Sequence, residues 1–212
     1  MSLFHKISGF IREPLIEKTE TIAHWYWLLK TQSYYRHFFQ RIGKKSRIIR
    51  PLRLKNVEHI SIGAEVIIHK HGWLQTQKIS KTPPELIIGN GCVIGNFSHI
   101  TCVNRVCLEA KVLMADGVFI TDHSHQYQDI TRPVVEQGIQ AGRPVTIGFG
   151  SWLGENVVVM SCRIGRNCII GANAVVLDDV PDYCVAVGAP ARVVRRWNPQ
   201  SKTWERPDVK TS

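Results

Sequence analysis

The sequence predicts an all-β chain coiled into a stacked solenoid of short strands, and three observations carry that expectation. Ile88, Ile94, Ile100, Val106, Val112 and Val118 are β-branched aliphatics spaced by six, and the beat resumes as Ile147, Leu153 and Val159, then Ile164, Ile170 and Val176. Glycine follows many beats, at Gly89, Gly95, Gly148, Gly154, Gly165 and Gly171. From Val106 on, a second aliphatic series appears two residues later, at Leu108, Met114 and Ile120. A helix repeats at about 3.6 residues and a strand at about 2, so neither sustains a six. A short strand plus a tight turn, three times per coil, does. Two inward positions per hexapeptide then make a three-sided prism.

Along the chain, residues 15–42 contain no proline or glycine and are expected to be helical. Glu17 and Glu20 near the start and Arg36 and Arg41 near the end suit the helix dipole. Trp25, Tyr26, Trp27, Tyr34, Tyr35, Phe38 and Phe39 lie among these basic residues. That mixture fits a membrane interface, and it fits equally the docking of a helix over the open end of a solenoid. Coils are expected from Ile48, Leu54 and Ile60, then Ile62, Ile68 and Leu74, with a phase slip of two between Ile60 and Ile62. Residues 78–84 read as a loop, and the main array runs over 86–120. From Asp122 to Pro144 the beat stops in a polar stretch without a period, expected to leave the prism as a long loop; such loops are usually functional. The array resumes over 145–180, where five residues instead of six separate Val159 from Ile164 and must tighten a corner at Ser161-Cys162. The division expected is 1–47 as a basic, aromatic helical segment, 48–187 as the solenoid, and 188–212 as a cap and basic tail.

The 212 residues carry a net charge of +10, unevenly placed. Residues 1–55 hold twelve Lys/Arg against three Glu, residues 192–212 six basic against two acidic, and the stretch between is mildly acidic. Basic flanks favour an anionic partner such as a phospholipid surface or a phosphorylated carrier. No apolar run reaches the ~18 residues of a membrane span, and residues 1–10 lack an export pattern, so a cytoplasmic protein is expected. The six cysteines form no CxxC and read as buried fillers.

These residues resemble the hexapeptide-repeat acyltransferases, whose fold is a left-handed parallel β-helix, and most closely their sugar and polysaccharide O-acetyltransferase branch. The resemblance covers roughly residues 86–196. It rests on the order of parts: repeats, an excursion opening with Asp122-His123, a return through Pro144-Val145-Thr146-Ile147-Gly148, then Trp152-Leu153-Gly154. Gly188-Ala189-Pro190-Ala191-Arg192-Val193 completes it. The resemblance implies acetyl-CoA as co-substrate, no metal, a sugar or lipid-linked glycan as acceptor, and a homotrimer with active sites between prisms. A sugar hydroxyl attacking a thioester needs a base, and an imidazole suits that task. The matching residue is His123, with His125 as the alternate and Asp122 as the group that orients the ring. Glu155 and Ala172 match positions along the CoA groove, and Arg192 and Arg195 positions near its nucleotide end. Asn104 and His99 are candidates for lining the acceptor pocket. One departure from the galactoside type is Leu177-Asp178-Asp179, where relatives place Thr-Lys after the last repeat.

The expected activity is O-acetylation of a sugar in surface-polysaccharide or lipopolysaccharide synthesis, with peripheral contact at the inner face of an anionic membrane. The rivals are a non-catalytic solenoid that binds an anionic partner and an acetyltransferase for a small soluble acceptor. A metal-dependent hydratase is disfavoured because the loop histidines stand two apart, and His69 and His71, another such pair, have no obvious third ligand. A nucleic-acid binder is disfavoured because the positive charge avoids the solenoid and no recognised motif occurs.

Overall fold

The computed structural model describes residues 14–207. Short parallel strands stack into three sheets that form the faces of one column. The first face runs from Arg41–Ile42 to Arg163–Ile164, and the third from Arg53–Lys55 to Val175–Val176. The second begins at Arg47–Ile48, and its last parallel strand is Cys184–Val187. On each face, alternation buries two side chains and leaves the one between them partly exposed. Leu86 and Ile88, Val106 and Leu108, and Val145 and Ile147 are all buried, around Ile87, Cys107 and Thr146. These inward residues form one apolar cluster along the column.

Two of the three corners keep the six-residue step and the third absorbs every irregularity. Ile88, Ile94 and Ile100 sit one per face, and their partners in the next coil are Leu108, Met114 and Ile120. The step from Ile100 back to the first face at Leu108 is therefore eight residues. The sequence beat passes unbroken from Ile100 to Val106 only because Val106 is also inward. The slip between Ile60 and Ile62 is the same event at this corner two coils lower, since both are buried on one strand. At this corner the chain also makes the 77–84 loop and the 122–144 excursion. Here too lies Ser161, where the shortened step forces a φ of 49°. The two regular corners turn through a left-handed residue in each coil, Lys45, Glu65, Gly91 and Lys111 at one, His71, Phe97, Gly117 and Asn156 at the other. His69 and His71 do not share a strand face: His71 is such a corner residue, stacked on Phe97 at 4.8 Å.

Helix α1 (Leu15–Ser33) ends earlier than the sequence suggested. Tyr35–His37 forms a 3-10 turn, and Arg41–Ile42 is already a strand paired with Ser61 and Ile62. Freedom from proline and glycine permits a helix over 15–42, but the pairing edge of the first coil and the burial of Ile42 override local propensity. The helix covers the open end of the column. The buried Thr31 Oγ1 accepts the Ile48 N–H at 2.9 Å, Gln32 Nε2 donates to Gly43 O and Ser46 O, and Phe39 plugs the core. At the other end Arg192–Asn198 and Thr203–Glu205 add antiparallel strands to the second face. Among the described residues no helix is long and apolar enough to cross a membrane. All six cysteines are free, and all but the half-buried Cys107 are buried.

Candidate active site

The excursion opens where the third face ends. Phe119–Thr121 completes its strand, Asp122 turns inward, and His123–His125 pairs antiparallel with Ile139–Ala141. The segment is thus a hairpin at its base, not the structureless loop expected, and its alternation is fixed. His125 lies opposite Ile139 and is exposed, whereas the His123 side chain is only 17% exposed.

Asp122 is fully buried, and every contact of its carboxylate is accounted for. Oδ1 accepts the Val103 N–H at 2.9 Å and Oδ2 the Asn104 N–H at 2.8 Å, while Cys102 Sγ lies 3.5 Å from Oδ2. Val103 and Asn104 are the two extra residues that lengthen the corner of the coil below, so the insertion supplies the pair of donors that hold the carboxylate. His123 Nδ1 lies 3.1 Å from Asp122 Oδ1 and 3.0 Å from Thr121 Oγ1. Burial opposes ionisation of Asp122. The hydrogen bonds from His123, Val103 and Asn104 outweigh it and hold the carboxyl below its usual range. An ionised carboxylate only accepts hydrogen bonds, so the proton sits on Nδ1 and Nε2 carries the free lone pair. That is the tautomer a general base needs. Thr121 is a contact the sequence reading missed; its only signal was its place between the last beat, Ile120, and Asp122-His123.

The other expected residues separate into two groups. Asn104 and His99 lie beside the dyad. Asn104 holds Asp122 through its backbone, and its side chain is exposed at the corner. His99 stacks between Trp73 at 4.2 Å and Phe119 at 5.1 Å, and its Nε2 is buried without a partner. Burial first, then the positive charge that a protonated His123 would carry and that of Arg53, hold His99 below the usual histidine range. Glu155 and Ala172 follow paired Leu153 and Ile170 at the corner between the second and third faces, one above the other. Arg192 contacts Asp178 at 3.4 Å, and Arg195 lies opposite Val185 in the terminal hairpin. Within one chain the third face separates Glu155 and Ala172 from His123, while Ala191, just before Arg192, donates its N–H to Val175 O at the end of that face. The acidic departure is occupied: Asp178 pairs with Arg192, and Asp179 holds the base of the hairpin by accepting from Arg143 at 3.0 Å and the Arg163 N–H at 2.9 Å.

Residues 144–178 match the family described as bacterial transferase hexapeptide (six repeats). The chain is 32% identical to a probable acetyltransferase of Mycobacterium tuberculosis, over 92% of this chain and 68% of that protein. It is 33% identical to a putative lipopolysaccharide biosynthesis O-acetyl transferase of Escherichia coli, over 53% of this chain and 61% of that protein. Among solved structures it resembles an N-acyltransferase from Bacillus cereus in complex with dTDP and 3-hydroxybutyryl-CoA. That match has a TM-score of 0.68 at 17% identity and covers 81% of this chain and 90% of the other. At that identity the likeness is one of fold, a left-handed parallel β-helix.

Proposed function

The chain belongs to the hexapeptide-repeat acetyltransferases, and we propose that it moves acetyl from acetyl-CoA to a sugar hydroxyl with His123 as general base. The observation that carries the assignment is the buried Asp122 carboxylate 3.1 Å from His123 Nδ1. It fixes the ring so that Nε2 takes the hydroxyl proton as the oxygen attacks the thioester carbonyl. The tetrahedral intermediate then expels the CoA thiolate, which recovers the proton from the imidazolium, leaving an acetyl ester and free CoA. Asp122 offsets the charge on the ring between the two proton transfers and needs no protonation itself.

In this reading, of the expected divisions 1–47, 48–187 and 188–212, residues 48–187 carry the catalysis, the described residues 14–47 cap and anchor the column, and 188–207 close it; 1–13 and 208–212 lie outside the described residues. Glu155, Ala172, Arg192 and Arg195 hold CoA. Because Glu155 and Ala172 lie across a face from His123 in one chain, the reading favours a homotrimer in which the groove of one prism meets the histidine of another. Asn104 and His99, flanking the dyad, face the acceptor. A lipid-linked glycan of surface-polysaccharide synthesis fits the basic N-terminal region: α1 exposes Ile22, Tyr26 and Leu29 at helical spacing, with Lys30 nearby. The protein then works in the cytoplasm against the inner face of an anionic membrane.

Thiol release from acetyl-CoA, measured against nucleotide sugars, free sugars and lipid-linked glycans, tests the assignment. His123→Ala is expected to lose about 10²-fold or more in turnover with CoA binding intact. Undiminished turnover in that variant overturns the role of His123. Leu29→Glu, tested by vesicle sedimentation, probes the anchor without removing the capping contacts of Thr31.

A further inference from the structure

Between α1 and the first two coils of the second face lies a cleft of about 560 Å³ that the acetyl-transfer reading does not use. The helix contributes His24 and Trp27 to its lining, and the second face contributes the cations Arg47, Arg50 and Lys70 with His69 and the apolar Ile49 and Ile67. Among the described residues, Glu20 is the one acidic group in the lining.

Arg47 marks the site. It projects outward from the strand Arg47–Ile48 and is partly covered by the helix. Its Nη1 contacts the His24 imidazole, and its Nε is buried with no partner. Burial, then the adjacent guanidinium, holds His24 below the usual histidine range. Among the described residues, neither Arg47, Arg50 nor Lys70 is within ion-pair distance of a carboxylate. Some outward cations elsewhere are paired, as Arg105 is with Glu85 and Arg143 with Asp179. A partly covered guanidinium with no carboxylate within ion-pair distance is costly unless an anion meets it. The guanidinium fork with a free Nε matches the oxygens of a phosphate, and the point charge of Lys70 adds to it.

We propose that this cleft binds a phosphate group, as a monoester or diphosphate, with any attached apolar body lying against Trp27 and Ile67. The site is distinct from the Asp122–His123 corner. It lies at the opening coils of the second face, whereas the dyad leaves the third face two coils further on. It therefore stands or falls independently of the acetyl-transfer assignment. The same phosphate chemistry is offered by a soluble diphosphate and by the headgroup of an anionic lipid.

The full-length protein is titrated with inorganic pyrophosphate at low ionic strength, following its melting temperature, and separately sedimented with phosphatidylcholine vesicles with and without phosphatidic acid. Neither acetyl-CoA nor an acceptor is present, so the outcome is blind to catalysis. Saturable stabilisation by pyrophosphate is expected, weakened about tenfold or more in Arg47→Gln. Lys81→Gln, which removes the same charge from the exposed 77–84 loop, is expected to bind as the parent does. Arg50→Gln, at an exposed corner position, serves as the second variant should Arg47→Gln fail to fold. If pyrophosphate has no effect but phosphatidic-acid vesicles retain the parent and release Arg47→Gln, the site stands and its ligand is a lipid headgroup. If neither probe binds in an arginine-dependent way, or Lys81→Gln weakens binding as much, the proposal is overturned.

Discussion

Asn104 donates its backbone N–H to Asp122 Oδ2 at 2.8 Å, fastening the departure point of the catalytic hairpin to the corner of the coil below. Asp122 thereby serves two ends, closing a corner and orienting His123. Asp122→Asn has one acceptor oxygen where the carboxylate had two, and it sets an amide NH₂ against a backbone donor. The variant is expected to lose about 1–3 kcal/mol of stability for the unsatisfied group and about 10²–10⁴-fold in turnover. Thermal unfolding and thiol release measure the two separately. Asn104→Ala, which keeps the N–H, should leave stability near that of the parent.

The same carboxylate sets an acid limit. Its pKa is lower folded than unfolded, so its contribution is fully present above the unfolded value near ~3.9. That contribution is lost as pH falls from there through the folded value. The stability gap between the parent and Asp122→Asn, followed by urea unfolding from pH 7 downward, should hold steady above about pH 5 and narrow below about pH 4. A gap that widens in acid would contradict the hydrogen bonds assigned to Asp122.

His125→Ala tests the geometry of the hairpin. His125 is exposed opposite Ile139, and no carboxylate among the described residues pairs with it. Its loss should change turnover by less than about threefold, against the 10²-fold or more expected for His123→Ala. Equal losses would shift the base, or a share of its work, to His125.

How much of this was legible in the sequence follows from where the period is kept. The six-residue beat reports the two regular corners, so the column, its inward residues and the exit at Asp122 could all be read from it. The third corner could not. Its two-residue insertion at Val103 and Asn104 is invisible because Val106 and Leu108 are both apolar and either can carry the beat. That insertion supplies the donors that hold Asp122, so the sequence pointed to the dyad but not to its support. The end of the helix was hidden for another reason: nothing local between Ser33 and Arg41 stops a helix, and the pairing of Ile42 with Ile62 comes from twenty residues downstream. The cleft around Arg47 was equally out of reach, since it exists only where α1 lies over the second face.

Thr31→Val tests the cap at the first coil. It replaces a buried hydroxyl by a methyl of similar shape and leaves the Ile48 N–H without an acceptor. A cost of about 1–3 kcal/mol is expected. Because each coil of a solenoid contacts only its neighbours, the damage should stay local. Amide exchange should quicken at Ile48 and remain unchanged at Ile100, two coils away.

The glycines that follow the beats look equivalent in sequence, and the structure ranks them. A Cβ on Gly148 would lie 2.5 Å from the carbonyl carbon and oxygen of Gly165, which is backbone of the next coil. Neither strand can move without breaking the pairing of Ile147 with Ile164. A Cβ on Gly171 would meet Val187 Cγ1 at 2.8 Å, the tip of a side chain 40% exposed near the end of the column. A valine there can turn aside at the cost of a rotamer, about 0.5–1.5 kcal/mol. Forcing two stacked backbones apart costs at least the 1–3 kcal/mol of an overpacked core. Gly148→Ala should therefore melt well below Gly171→Ala. The reverse order would mean that side-chain crowding, and not the spacing of stacked backbone, is what demands glycine after the beat.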